Sequence, residues 1–198
     1  LIALDDEGGG WAGRLLWTLD CLGQRNWHYL NGGLIAWVEE GLPTADGAPV
    51  PPAASSWQPT LDERPRALQQ DVAAASAGGD AQIWDARSAE EYLGLRSGAA
   101  RAGHIPGARN LDWVHLMDPA RGYRLPEDLK VRIEGVGLDL EHPLIAHCQT
   151  HHRSSLAYLV GRILGADIRG YDGSWAEWGN DPDTPIVTDA EPGGPASG

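Results

Sequence analysis

Apolar positions change period along this chain, and the changes mark its elements. Residues 1–4 (LIAL) form a short apolar run that predicts a buried strand, and 11–23 (WAGRLLWTLDCLG) carry apolar residues at helical spacing. A second strand is predicted at 26–30, and a second helix at 34–41 is closed by Gly41 and Pro43. From Thr44 to Arg66 the chain is rich in Pro, Ala and Ser without periodicity, which predicts a linker. Beyond it come a strand at 81–85, a helix at 89–94, an insertion to Gly103 and a strand at 108–113. A helix at 126–137, a strand at 143–147, a helix at 154–165, a strand at 166–171 and a short helix from Trp175 follow. Strands alternating with helices of this length predict an α/β fold with a parallel sheet covered on both faces.

The two halves of this pattern share a unit. Leu1-Ile2-Ala3-Leu4-Asp5 lies over Leu144-Ile145-Ala146-His147-Cys148, and DEGGG lies over QTHHR, each followed by an apolar helix. Further on, Asn31-Gly32-Gly33 and Trp37 lie over Asp172-Gly173-Ser174 and Trp178. One supersecondary unit is used twice. Asp5 stands where Cys148 stands, so only the second copy can do thiol chemistry. The first copy lacks a counterpart of the segment running from Ile83 to Ala108. Its two strands and two helices alone would leave a sheet edge unpaired, which predicts a native protein beginning on the order of 80 residues before Leu1. The expected organisation is the C-terminal part of an inactive first domain at 1–43, a linker at 44–66, and the active domain at 67–198.

Composition narrows the function. The 198 residues suffice for one to two domains with a sizeable core. A net charge of -13 argues against nucleic acid and anionic membrane surfaces as partners. Two cysteines, Cys21 and Cys148, make no disulfide framework and point to a reducing, cytoplasmic compartment. The chain begins inside an apolar run without Met, so a targeting segment could precede it. Nine tryptophans against no phenylalanine is unusual.

Candidate chemistry concentrates at 148–153. Cys148 ends an apolar strand and opens a strand-to-helix loop, where ligands bind in open α/β sheets. Backbone N–H groups and the helix dipole there stabilise a thiolate, the reactive form. His151, His152 and Arg153 are expected to draw an anion in against the global negative charge, with Gln149 and Thr150 completing the loop. His142, His147, His151 and His152 could suggest zinc, but no second cysteine or nearby carboxylate completes a tetrahedral set, so no metal is expected. His147-Cys148 followed by Arg153 gives HC-x4-R, one residue shorter than the HC-x5-R loop of cysteine phosphatases; the smaller cradle suits a persulfide better than a phosphoryl group. Cys21 is expected in the core, His104 as a structural hydrogen-bonder, Asp85 and Arg87 as an ion pair anchoring a loop, and Asp5–Gly10 as a solvated vestige.

Four motifs occur in order: Asp85-Ala86-Arg87 with Tyr92 and Gly94; Gly103-His104-Ile105-Pro106-Gly107-Ala108; the loop CQTHHR; and Tyr171-Asp172-Gly173-Ser174-Trp175 with Glu177-Trp178. With these the chain resembles the tandem-domain rhodaneses, the thiosulfate and 3-mercaptopyruvate sulfurtransferases, in a bacterial subgroup with this loop. The resemblance implies a five-stranded rhodanese-like sheet and an inactive first copy. It also implies sulfur transfer from thiosulfate to cyanide or a thiol through a Cys148 persulfide, with no cofactor beyond that covalent intermediate. The loop residues Gln149 to Arg153 are implied to bind substrate, with Asp85, Arg87 and Trp175 in support. Expected partners are a small anionic donor and a cyanide or thiol acceptor, protein thiols included, with the chain acting as a monomer. Mercaptopyruvate users tend to carry a smaller loop, and an Arg where this chain has Glu91, so the resemblance makes mercaptopyruvate the poorer donor. A cysteine phosphatase of related fold and a non-catalytic persulfide carrier are the alternatives.

Overall fold

The computed structural model describes residues 1–48, 50–51, 53–54 and 56–188. The last ten residues of the expected 67–198 domain, and three positions of the expected linker, lie outside the described residues. Two parallel sheets are present. β1 (Ile2–Ala3) and β2 (His28–Tyr29) pair with each other, separated by α1 (Gly10–Cys21) and followed by α2 (Gly33–Glu39). The larger sheet takes β3 (Arg66–Ala67), β4 (Gln82–Asp85), β5 (Arg109–Asn110), β6 (Leu144–His147) and β7 (Ile168–Tyr171) in the order β3-β7-β6-β4-β5, all parallel. Its helices are α3 (Gln69–Ser76), α4 (Ala89–Tyr92), α5 (Leu129–Gly135), α6 (Arg153–Ile163) and α7 (Ser174–Trp178). The expected α/β fold with a five-stranded parallel sheet flanked by helices is what forms.

Side-chain alternation along the strands divides the core between the two faces. Trp84, Leu144 and Ala146 face a cluster with Leu16, Leu129, Ile133, Leu156 and Leu159. Ile83 and Ile145 face the other, with Val72, Tyr92, Trp175 and Trp178. β6 lies in the middle of the sheet with all four residues buried, so the residue after it emerges at the centre of the C-terminal edge.

Several boundaries differ from the sequence pattern. The strand expected at 108–113 is only Arg109–Asn110, because Asp112 caps a 3-10 turn at Trp113–Leu116. α5 starts at Leu129, the preceding residues forming a turn. α3 and β3 escaped the pattern: within α3 only Val72 is buried, so its amphipathic signal is weak. β3 also draws Arg66, the last residue of the expected linker, into the larger sheet, where it meets Gly170. The residues just before it are ordered against α1, with the Thr60 and Asp62 amides donating to the Leu22 and Cys21 carbonyls.

The tryptophan excess has a structural basis. Indole N–H groups of Trp84, Trp175, Trp178 and Trp17 donate to the carbonyls of Leu111, Arg101, Pro185 and Pro65, each at 2.9–3.2 Å. Each of these buried rings fills core volume and also ties an adjoining loop, which phenylalanine cannot do. Among the described residues no helix is long and apolar enough to cross a membrane.

Candidate functional site

Cys148 is buried, one residue beyond β6, and the loop 148–152 runs directly into α6. Its backbone is held from one side by α7. The Cys148 carbonyl accepts from the Trp175 amide at 2.9 Å, the Gln149 carbonyl from the Ala176 amide at 2.9 Å, and the Cys148 amide reaches the Ser174 hydroxyl at 3.3 Å. His151 takes a left-handed φ of 59°, which bends the loop back on itself. Among the described residues, no acceptor meets the backbone N–H of Gln149, Thr150, His151, His152 or Arg153. Among the described residues these five donors in one short loop thus have no protein partner, and consecutive amides of this kind are suited to an anion.

The first unit repeats this construction and fills it. The Asp5 carboxylate accepts from the amides of Glu7, Gly9 and Ala12 at 3.3, 2.9 and 2.9 Å. These positions correspond to Thr150, His152 and Ser155. The Leu34 amide donates to the Asp5 carbonyl at 2.8 Å as Trp175 does to Cys148, and Gly33 and Ser174 share a positive φ of 56° and 53°. Where the amides of the second loop meet no acceptor among the described residues, the first loop closes on its own carboxylate.

The charged side chains do not act as their sequence positions suggest. His151 is fully buried, stands edge-on to Trp17 at 4.6 Å, and pairs Nδ1 with the Ser154 hydroxyl at 2.8 Å. Burial, with Arg14 nearby, pushes its pKa down to about 3, so it is neutral and brings no positive charge. This corrects the expectation that it attracts an anion. His152 sits at the surface between Trp11 and Trp113 with its ring nitrogen on the Glu7 carboxylate. Arg153 is engaged by Glu91 in a two-pronged pair at 2.6 and 2.9 Å. Burial alone would raise the Glu91 pKa, but the Arg153 contact overrides it and holds the carboxyl at about 2. His151 is therefore neutral, and His152 and Arg153 each already face an acid. Gln149 donates to the Gly98 carbonyl at 3.2 Å, and Thr150 is exposed at the loop's tip.

Beneath the loop, Asp85 and Arg87 form a fully buried pair, with Arg87 Nη2 2.6 Å from Asp85 and 2.9 Å from the Gly103 carbonyl. The guanidinium carbon lies 4.2 Å from the centre of the Trp175 ring. His147 lies 3.6 Å from Asp85, and burial lowers its pKa to about 4 despite that carboxylate. Through the Gly103 carbonyl the Asp85–Arg87 pair ties the segment after α4 to the end of β4. His104 stacks on Tyr92 at 3.5 Å and pairs Nδ1 with the Tyr92 carbonyl. Cys21 packs against the core half-buried, with burial and then Asp20 raising its thiol to about 11.

The acidic loop is not a solvated vestige. Gly8, Gly9 and Gly10 are buried, Glu7 binds His152, and the Gly10 carbonyl accepts from the Ser155 hydroxyl at 2.8 Å. α1 packs closely on α6 because Gly13 has no side chain; a Cβ there would lie 2.5 Å from the Ser155 carbonyl oxygen. Arg14, next along α1, donates from Nη1 to the carbonyls of Thr150 at 3.0 Å and His151 at 3.3 Å. Sequence reasoning missed Arg14. Nothing local to it signals a contact with a loop so far along the chain.

A buried cysteine follows the central strand of this α/β domain and opens a loop whose next amides meet no acceptor among the described residues. The rhodanese-like domain family matches residues 68–181, and the chain belongs to that family. It is 47% identical over 186 residues to the thiosulfate sulfurtransferase of Azotobacter vinelandii and 44% identical over 192 residues to that of Pseudomonas aeruginosa; each alignment covers 93% of this chain and 68% of the relative. A sulfur carrier protein, TtuD, of Thermus thermophilus is 32% identical over 96% of this chain and 72% of its own length. Among solved structures, the EanB–ergothioneine complex superposes with a TM-score of 0.82 at 22% identity. That alignment covers 94% of this chain and 50% of EanB, and the likeness is one of fold.

Proposed function

We propose that this chain carries the sulfane sulfur of thiosulfate to cyanide or another thiophilic acceptor, with Cys148 as the nucleophile. The sulfurtransferase relatives support sulfur transfer as the reaction. The observation that carries the residue-level reading is the contrast between the loops: donors closed on a carboxylate at Asp5, and donors without an acceptor among the described residues in the loop that follows Cys148. In the first half-reaction the Cys148 thiolate attacks the outer sulfur of thiosulfate. The S–S bond breaks, and sulfite leaves with its electron pair. The persulfide's outer sulfur then lies among the open amides, where its developing charge is met by fixed donors. A nucleophile takes that sulfur in the second half-reaction and returns the thiolate, so the kinetics are ping-pong. No cofactor is required beyond the covalent intermediate.

Residues 1–43 are read as the C-terminal part of an inactive first copy and 44–66 as the connection to the catalytic domain. The physiological setting is read as a reducing compartment, with the acceptor a small or protein thiol. The likeness to a sulfur carrier protein supports a second reading, in which Cys148 holds a persulfide without turning over.

One experiment separates these readings. Thiosulfate is given to wild type and Cys148→Ser; persulfide is read by intact mass, and thiocyanate release is read with cyanide. Persulfide and turnover in wild type, both lost in the variant, are expected. Persulfide without turnover establishes the carrier, and turnover in Cys148→Ser refutes Cys148 as nucleophile.

A further inference from the structure

We propose that Arg14, on the helix of the first unit, is a positioning residue for the Cys148 loop: it turns the amides of His151 and His152 into the cradle and supplies a positive charge that, unlike that of Arg153, is paired with no carboxylate among the described residues. The inference rests on the sulfur-transfer reading of Cys148 and adds an arm from a different part of the chain.

Three observations carry it. The first is geometric. A single guanidinium nitrogen, Nη1, holds the carbonyl oxygens of Thr150 and His151 together. In a planar trans peptide the C=O and the following N–H point in opposite directions. Fixing these two oxygens on the Arg14 side therefore fixes the His151 and His152 N–H groups on the other side. Neither N–H has an acceptor among the described residues. The second observation is the internal repeat. His152 corresponds to Gly9, whose amide donates at 2.9 Å to the carboxylate standing at the cysteine position. The amide that Arg14 orients through the His151 carbonyl is thus one whose counterpart binds an anion in this same chain.

The third observation is electrostatic. Arg153 is bound by Glu91, His152 by Glu7, and His151 is neutral. Arg14 makes no ion pair with a carboxylate among the described residues; besides the two loop carbonyls, its guanidinium meets the face of Trp17 at 5.0 Å. Its charge is therefore spent on the loop's peptides, polarising the very donors that face the anion. In a chain of net charge -13, a cation placed behind the cradle favours entry of a dianion.

Wild type, Arg14→Ala and Arg14→Lys are compared. Wild type must first form its persulfide and release thiocyanate; failure there removes the sulfur-transfer reading and leaves nothing for Arg14 to position. Given a working wild type, Arg14→Ala is expected to lose on the order of tenfold in kcat/KM for thiosulfate, less than the 10²–10³ of deleting an oxyanion donor outright. Arg14→Lys, which keeps the charge and one donor group, is expected to recover most of it. Alkylation of Cys148 supplies a readout that a merely structural role would not move. Iodoacetate is anionic and iodoacetamide neutral, and their rate ratio at Cys148, followed by peptide mass, is expected to fall in Arg14→Ala and return in Arg14→Lys. Far-UV circular dichroism and urea midpoints establish that each variant is folded, and Arg14→Gln, neutral and of similar length, serves as the reporting variant if Ala is not. Wild-type kcat/KM in folded Arg14→Ala, or an unchanged alkylation ratio, overturns the proposal.

Discussion

Burying two neutral imidazoles at the central strand and the loop after it has a measurable consequence for acid stability. In the unfolded chain His151 binds a proton below its ordinary value of 6.5, whereas in the folded protein burial delays this to about 3. Between those values the unfolded state holds more protons. The His151 contribution to stability is therefore complete above the unfolded value and declines as pH falls, until the folded pKa is reached. At about 1.4 kcal/mol per pH unit, a fall to roughly pH 5 removes ~2 kcal/mol. His147, held down to about 4, behaves with the same sign and adds a similar loss. Most carboxylates remain ionised in both states over this range, so the histidines dominate the slope. His151→Asn isolates one of them. Asparagine tolerates the left-handed φ of 59°, and its amide oxygen can accept from the Ser154 hydroxyl. Loss of the ring against Trp17 costs ~1–2 kcal/mol at every pH, which shifts the curve without tilting it. Urea unfolding followed by tryptophan fluorescence between about pH 5 and pH 8 gives the slope of ΔG against pH for each protein. The variant should lose about one proton's worth of slope, ~1.4 kcal/mol per unit, below the histidine range. Equal slopes in the two proteins would refute the burial of a neutral His151.

Three further outcomes follow from the same geometry. Asp5→Ala strands the amides of Glu7, Gly9 and Ala12 and should cost roughly 1–3 kcal/mol in urea unfolding; sulfate should stabilise this variant more than wild type, by mass action on the vacated cradle. Because Glu91 occupies both prongs of Arg153, that guanidinium is not free to clamp a donor's carboxylate, and kcat/KM should be higher for thiosulfate than for 3-mercaptopyruvate. Inserting glycine between His152 and Arg153 restores HC-x5-R spacing and should abolish thiocyanate formation in a protein that remains folded; retained transfer would show that loop size does not set the chemistry.

The order of strands and helices was legible in the chain because each element carries its own periodicity. The spacing of apolar residues alone predicts a buried strand at 143–147 and a helix at 154–165, and these form as Leu144–His147 and Arg153–Ile163. Cys148 and the Asp5 counterpart were legible for a similar reason: a repeat aligns residues by local order, and comparing its copies exposes the substitution. Weakly patterned pieces escaped, such as α3, which buries only Val72, and β3, whose two residues become a strand only by pairing with β7. The electrostatics of the loop were decided entirely by tertiary structure. Charge at His151 depends on its being enclosed by Trp17 and Gly170, while what Arg153 and His152 turn toward depends on the approach of Glu91 and Glu7. Local sequence determines which groups can ionise, but whether they do, and toward what they turn, depends on solvent exclusion and on partners brought together from distant parts of the chain. The same holds for Arg14, whose two acceptors lie on a loop that only the packing of α1 on α6 brings within its reach.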